Sequence, residues 1–277
     1  MHNELNKLSS CLLTKYYRSF RHPMKLRIFN KIINFLGNPR LIINYCQDSL
    51  ISLDPLQIPD NRVLKFGEYE PEVWKALEYY ANSSEIVWDI GAHIGIFSIR
   101  ASESPKVKKV YSFEPHPDNF NALEFNNKLN NEPFYPINIA LSNSNAPQAI
   151  FQRIQGNTGT FSFCPINTNI EQEDIKVNCI TIDKLVFEEN MQYPTLIKLD
   201  VEGWEFHVLQ GAERLLNEAS PKAIVFESSV DSNGNPIKID LFYYLSNKGF
   251  KIKRLSRRFN EIRENENFIA VKVKNIM

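Results

Sequence analysis

One stretch, Val87-Trp88-Asp89-Ile90-Gly91-Ala92-His93-Ile94-Gly95, limits what the chain can fold into more than any other. Residues 86–89 read as the end of a buried strand, and an amphipathic helix is expected from about residue 96. Between them lies a turn cornered by Gly91 and Gly95. Such a corner lets backbone approach a ligand closely and leaves the first N–H groups of the helix free to meet it. Asp89 then stands at the carboxyl end of a strand, where open α/β sheets bind their ligands. A carboxylate there can hold an ammonium group and is a poor neighbour for a pyrophosphate.

That distinction separates two nucleoside cofactors. The dinucleotide fingerprint needs Gly-x-Gly-x-x-Gly, whose middle glycine admits the diphosphate. Here Ala92, His93 and Ile94 separate the glycines, giving Gly-x-x-x-Gly. Glu114 ends the next apolar run, Val110-Tyr111-Ser112-Phe113, where an acid would grip a ribose diol. An ordinary αβ turn with a helix-capping acid is the plainer alternative. The pattern favours S-adenosylmethionine over NAD.

The totals bound the rest. A chain of 277 residues suits one large α/β domain with an extension. Its 32 basic and 32 acidic side chains create no global field that would draw it to nucleic acid. No run of eighteen apolar residues is present, and Lys7, Lys15 and Arg18 interrupt any signal-peptide core. Cysteines 11, 46, 164 and 179 have no CxxC spacing, which argues against a zinc site and a disulfide frame and predicts a cytoplasmic setting. Up to Tyr45 eight basic residues face one acid, Glu4, and apolar residues recur at helical spacing from Met24 to Leu36 before Gly37. A basic amphipathic helix can lie on an anionic membrane or dock a partner, which leaves a membrane-peripheral location open for residues 1–45. It can equally pack on its own domain with a solvated basic face.

Along the chain, residues 50–66 read as extended, punctuated by Pro55 and Pro59. A helix begins at Pro71, with Val73, Trp74, Leu77 and Tyr80 on its apolar side. Glu70, just before it, would cap this helix or reach a cofactor. Strands are expected at 107–114, 135–140, 195–201 and 221–227, with helices at 117–129, from 181, to about 217 and at 236–247. Either Thr181 or Asp183 would cap the helix that starts there. Residues 147–180 break the rhythm with short antiparallel strands and a turn at 156–159, an insertion that would shape an acceptor pocket. The chain closes on strands 250–255 and 268–273, a charged hairpin with no helix between. Dinucleotide folds do not end this way; methyltransferase sheets do.

These blocks, in order, resemble the FkbM-type S-adenosylmethionine-dependent methyltransferases over roughly residues 67–273. The resemblance rests on Tyr69-Glu70, the 89–95 turn, Phe113-Glu114-Pro115-His116-Pro117 and Asn138-Ile139-Ala140-Leu141-Ser142. It continues through Gly156-Asn157-Thr158-Gly159, Ile197-Lys198-Leu199-Asp200-Val201-Glu202-Gly203 with Glu205, and Gly211-Ala212. It implies a class I methyltransferase domain at 66–277, a Rossmann-like seven-stranded α/β sheet with the last strand antiparallel, preceded by an extension over residues 1–65. By motif position, Asp89, Gly91, Ala92, His93 and Gly95 would hold the methionine end of the cofactor. Glu114 and Pro115 would meet the ribose, Asn138 and Ala140 the adenine, and Glu70 and Asp200 would complete the cradle. His93 departs from the small polar residue usual in the family. The resemblance also implies hydroxyl acceptors on sugars, glycolipids, polysaccharides or polyketides.

Methyl transfer to a hydroxyl requires an aligned acceptor, a dry site and a group that takes one proton. Asp200 and Glu202, two apart at a strand tip, would face one pocket, and their proximity would raise one pKa. Either is a candidate base; alternatively Asp200 positions the cofactor and Glu202 caps the next helix. His207, one turn along, is a third candidate. No spacing recommends a metal on Asp200, Glu202 and Glu227. An NAD-linked oxidoreductase and a non-catalytic binding module retaining the fold stand as alternatives.

Overall fold

The computed structural model describes residues 4–5, 7–19, 23–145, 149–153, 161–162, 174–256 and 264–273. The first part of the chain forms β1 (Glu4–Leu5), α1 (Lys7–Arg18), α2 (Pro23–Phe35), β2 (Arg40–Tyr45), β3 (Ser49–Leu53) and α3 (Ile58–Phe66). Then follow α4 (Pro71–Tyr80), β4 (Glu85–Ile90), α5 (Ile96–Ser102), β5 (Val107–Phe113), α6 (Pro117–Leu129), β6 (Tyr135–Ile137) and β7 (Ala140–Leu141). The middle holds β8 (Ala149–Arg153), β9 (Phe161–Ser162), β10 (Asp174–Val177), β11 (Cys179–Ile180), α7 (Ile182–Phe187) and β12 (Leu196–Leu199). The last part is α8 (Glu205–Gln210), α9 (Glu213–Glu218), β13 (Ala223–Ser229), α10 (Asp240–Asn247), β14 (Phe250–Arg254) and β15 (Asn265–Lys272).

The main sheet has seven strands in the order β14-β15-β13-β12-β4-β5-β6. Pairings from β13 through β6 are parallel, whereas β15 runs antiparallel to both β13 and β14. This is the expected sheet, with the final strand reversed and inserted before its hairpin partner. Strand order turns outward in both directions from the β4–β12 pair, so the switch point lies at the carboxyl ends of those two strands.

Alternation along the central strands divides the core between two faces. Val87, Val110, Leu196 and Val225 pack with α4 and α5, while Trp88, Ile90, Ile197, Leu199 and Phe226 pack on the other side with α7 to α10. Phe29, Ile33, Leu41, Ile51, Leu53 and Leu64 of the N-terminal part belong to the first of these clusters. Among the described residues, no helix is long and apolar enough to cross a membrane.

Several sequence expectations change. The stretch 50–66 is extended only through β3; Pro59 then sits in the first turn of α3, and Gly67 closes it by donating its N–H to Val63 O. The expected strand 135–140 is two pieces, the second pairing with β11 rather than with the main sheet. The helix expected to run to about 217 breaks at Gly211-Ala212. A Cβ on Gly211 would stand 2.0 Å from Ser142 O, so only glycine permits that backbone approach. Thr181 caps α7 by accepting from Lys184 N at 3.1 Å, whereas Asp183 anchors α9, accepting from Arg214 N and Leu215 N. Pro236 forms an isolated bridge with Val230, and the helix after it starts only at Asp240. Strands β8, β9 and β10 form the expected antiparallel group; the 156–159 turn and Cys164 lie outside the described residues.

Candidate active site

A cavity of about 310 Å³ opens over the carboxyl ends of β4, β5 and β12. Its floor is built by a squeeze between neighbouring strands. Gly91 leaves β4 at φ +80°, and a Cβ there would meet the Asp200 carbonyl oxygen at 1.8 Å. The turn is tied down by Gly91 N and Ala92 N, which both donate to Phe113 O. Gly95 has a different duty: a Cβ would strike Leu123 Cδ1 at 2.8 Å, so it lets α6 close on the turn and does not line the cavity.

Asp89 is fully buried behind this turn. It accepts from Ser98 Oγ at 2.5 Å and pairs with Lys198 Nζ at 3.3 Å. The ammonium group that the strand tip holds is therefore the protein's own, and Asp89 is absent from the cavity wall. Lys198 also pairs with Asp200 at 3.3 Å and donates to Gly91 O at 2.7 Å. Burial works against the charged lysine, yet the two aspartates hold its pKa above the ordinary value. One side chain thus ties the glycine turn to the Asp200 loop.

Glu114 lines the cavity from the end of β5. Its carboxylate accepts from His93 N at 2.8 Å and His116 N at 2.9 Å, and burial raises its pKa to about 7 despite these bonds. His93 takes φ 51°, a left-handed conformation that histidine shares with asparagine, so the backbone accommodates the departure from the family pattern. Ala92, His93, Pro115 and Ala140 line the cavity as well. Asn138 does not; it is exposed and donates to Glu114 O and Pro115 O, fixing the loop that carries them.

Glu70, Asp200 and Glu202 line the other side. The two C-terminal acids do not share a pleat, because β12 stops at Leu199 and Glu202 lies in a turn at φ 52°. They meet the same cavity through loop geometry. Nor does Glu202 cap the next helix, whose cap position, Trp204, has no side-chain cap bond; Glu205 instead holds the loop before it, accepting from Val201 N and Gly203 N at 3.1 Å each. Burial, then the Asp200 and Glu205 carboxylates, push Glu202 to about 8, and burial raises Glu205 to about 7. Burial and the Asp200, Glu202 and Glu70 charges likewise raise Glu227 on β13. His207 is elsewhere, stacked on Trp204 with centroids 3.7 Å apart, and does not line the cavity. Among the described residues, no group of three or more His, Cys, Asp or Glu side chains is arranged to hold a metal ion.

Sequence reasoning gave no role to Lys198, although a lysine inside the apolar run 195–201 was the available signal. It also gave no cavity role to Tyr45, Cys46, Trp74, Lys75, Phe97 and Arg100, all of which line the cavity. Trp74 and Phe97 pack edge to face at 5.8 Å.

Residues 89–252 match the family described as the methyltransferase FkbM domain. A curated relative, the hexuronic acid methyltransferase AglP of Haloferax volcanii, is 26% identical over 162 residues, 58% of this chain and 64% of AglP. The chain thus spans just under two thirds of that relative's length. Among solved structures, methyltransferase FkbM from Methylobacillus flagellatus KT aligns with TM-score 0.45 and 15% identity over 91% of this chain and 72% of that one. TYW2 of M. jannaschii, solved in complex with AdoMet, aligns with TM-score 0.41 and 14% identity over 84% and 87%. A family match across more than half of the sequence, on a sheet with the reversed final strand, leaves no place for the NAD-linked alternative: the chain belongs to the FkbM methyltransferase family.

Proposed function

We propose that this chain transfers the methyl group of S-adenosylmethionine to a hydroxyl of a sugar-containing acceptor, with uronic acid glycans as the class to try first. One observation carries the reading. Glu114, held by two backbone N–H groups at the end of β5, faces a cavity whose opposite wall bears Glu70, Asp200 and Glu202. The residues fit such a donor. Two backbone bonds and one from the Asn119 side chain leave the Glu114 oxygens with a lone pair for a vicinal diol. Ile90, Phe113, Ile139 and Leu141 offer apolar wall for an aromatic ring, and the surrounding carboxylates suit a positive charge. When bound, the cofactor supplies an electrophilic methyl carbon on a cationic sulfur.

The chain's own residues do the rest. Glu202 is the base, its carboxylate taking the proton of the acceptor hydroxyl. Asp89 and Asp200 act through Lys198, which fixes the Gly91 carbonyl and so the shape of the turn. Asn138 and Gly95 support the loops that line the cavity, and His207 has no part in the transfer. In the cavity lining, Trp74 and Phe97 supply apolar surface for sugar C–H groups, and Lys75 and Arg100, the latter paired with Glu103 at 4.0 Å, supply positive charge for an acidic substituent. The AglP name supports that choice of acceptor.

Calorimetric titration of S-adenosylmethionine into the wild type and Glu114→Ala tests the donor. The variant should bind at least about tenfold more weakly, since a charge-assisted hydrogen bond is lost. Equal affinity would remove the assignment. Transfer of labelled methyl to a uronic acid oligosaccharide, against its neutral counterpart, tests the acceptor; equal labelling of both would show that Arg100 and Lys75 take no part in choosing it.

A further inference from the structure

Helix α1 turns two of its three leucines to solvent. Its inward face carries hydroxyls: Ser10 is fully buried and accepts from Ile42 N at 3.1 Å, and Thr14, 7% exposed, donates to Ser10 O at 2.7 Å. Tyr17 donates to Asn61 Oδ1 at 2.8 Å, and the Arg18 guanidinium donates to the carbonyls of Leu64 and Val63. Polar bonds thus hold the helix to β2 and α3. Leu13 and Tyr17 pack against the core, but Leu8 and Leu12 point the other way, 72% and 61% exposed and one helical turn apart, with Tyr16 on the next turn. Cys11 and Lys15 are exposed on the same side. Charge is segregated in the same sense. Residues 1–45 hold eight basic side chains against Glu4 alone, whereas the remaining residues hold 24 basic against 31 acidic. Arg18 and Arg40 turn inward, but Lys15, Arg27 and Lys31 are exposed.

We propose that the outward face of α1, centred on Leu8, Leu12 and Lys15, docks the protein on an anionic lipid bilayer. A helix that presents apolar side chains among cations inserts the former at the headgroup boundary and draws the latter to the surface charge. The acidic remainder is repelled by the same surface, so only this end faces the lipid. A second copy of the chain is a poorer occupant, because it would bring like charges together.

Flotation of the full chain with phosphatidylcholine vesicles, with and without a minor fraction of phosphatidylglycerol, tests this. The wild type should rise with the anionic vesicles at low salt, stay behind with neutral ones, and be released by high salt. Leu8→Ser combined with Leu12→Ser should lower partitioning at least about tenfold, since both side chains are exposed in solution and lose only their burial in lipid. Lys15→Glu should lower it as well and reads the same face by charge, so the test survives a folding defect in the leucine variant. Failure of the wild type to rise with anionic vesicles overturns the proposal, as does flotation of both variants equal to that of the wild type. Light scattering that shows a dimer, split by the leucine substitutions, would overturn it in favour of a second copy.

Discussion

Replacing Lys198 by methionine removes the cation that neutralises Asp89 and reaches Asp200, while keeping the length of the side chain. Asp89 is fully buried and retains only Ser98 Oγ as a partner, so its negative charge loses its compensation in the interior. Breaking a buried pair by removing one member costs about 3–5 kcal/mol, because the remaining charge has been taken from water. Loss of the bond to Gly91 O adds about 1 kcal/mol. For a chain of this size that total lowers the melting temperature by roughly 7–10 °C. The assay is a double-mutant cycle in urea with Lys198→Met, Asp89→Asn and the two combined. The combined variant should be more stable than the sum of the single losses by about 2 kcal/mol or more, since removing both partners leaves no buried charge unopposed. Additivity within about 0.5 kcal/mol would show that the two groups do not sense one another, and the account of the β4–β12 junction would fall.

Other outcomes follow from the same geometry. Gly91→Ala places a methyl group against backbone at positive φ, where no rotamer can relieve it, and should cost at least about 2–3 kcal/mol by urea denaturation. Gly203→Ala, also at positive φ but facing open space, should cost only about 1–2 kcal/mol; equal losses would refute the close-approach argument. With Glu202 raised to about 8, log(kcat/KM) should climb with pH up to that point as the base deprotonates, and Glu202→Gln should abolish the limb. The stability sign is opposite. A folded pKa above the unfolded one gives stability that is fully present below the unfolded pKa and lost as pH rises through the folded one, so Glu202→Gln should gain on the wild type between about pH 4.5 and 8. Urea midpoints at both ends of that range measure it.

Much of the fold was legible because it depends on local pattern. The Gly-x-x-x-Gly corner after an apolar run, the alternation of strands with helices, and the charged closing hairpin all appear in the chain order. Together they predict a mostly parallel sheet closed by a β-hairpin, while the seven strands with the last one reversed are what the resemblance to FkbM-type methyltransferases implies. Residues 58–66 misled because Pro55 and Pro59 suggest extension, yet Pro59 serves equally well in a first helical turn. Glu114, Glu70, Asp200 and Glu202 were readable as cavity residues because strand ends and the turns after them sit where ligands bind.

Residue type and spacing alone determined that this chain builds an α/β sheet with acids clustered over its carboxyl edge. Which acid faces the cavity, which is satisfied by a lysine on the neighbouring strand and which caps a loop were settled only in three dimensions. Asp89, Glu202 and Glu205 are alike as carboxylates, but one neutralises Lys198, one lines the cavity and one holds backbone N–H groups. The division arises because charge compensation and desolvation depend on distances between segments remote in sequence, such as the 109 residues separating Asp89 from Lys198.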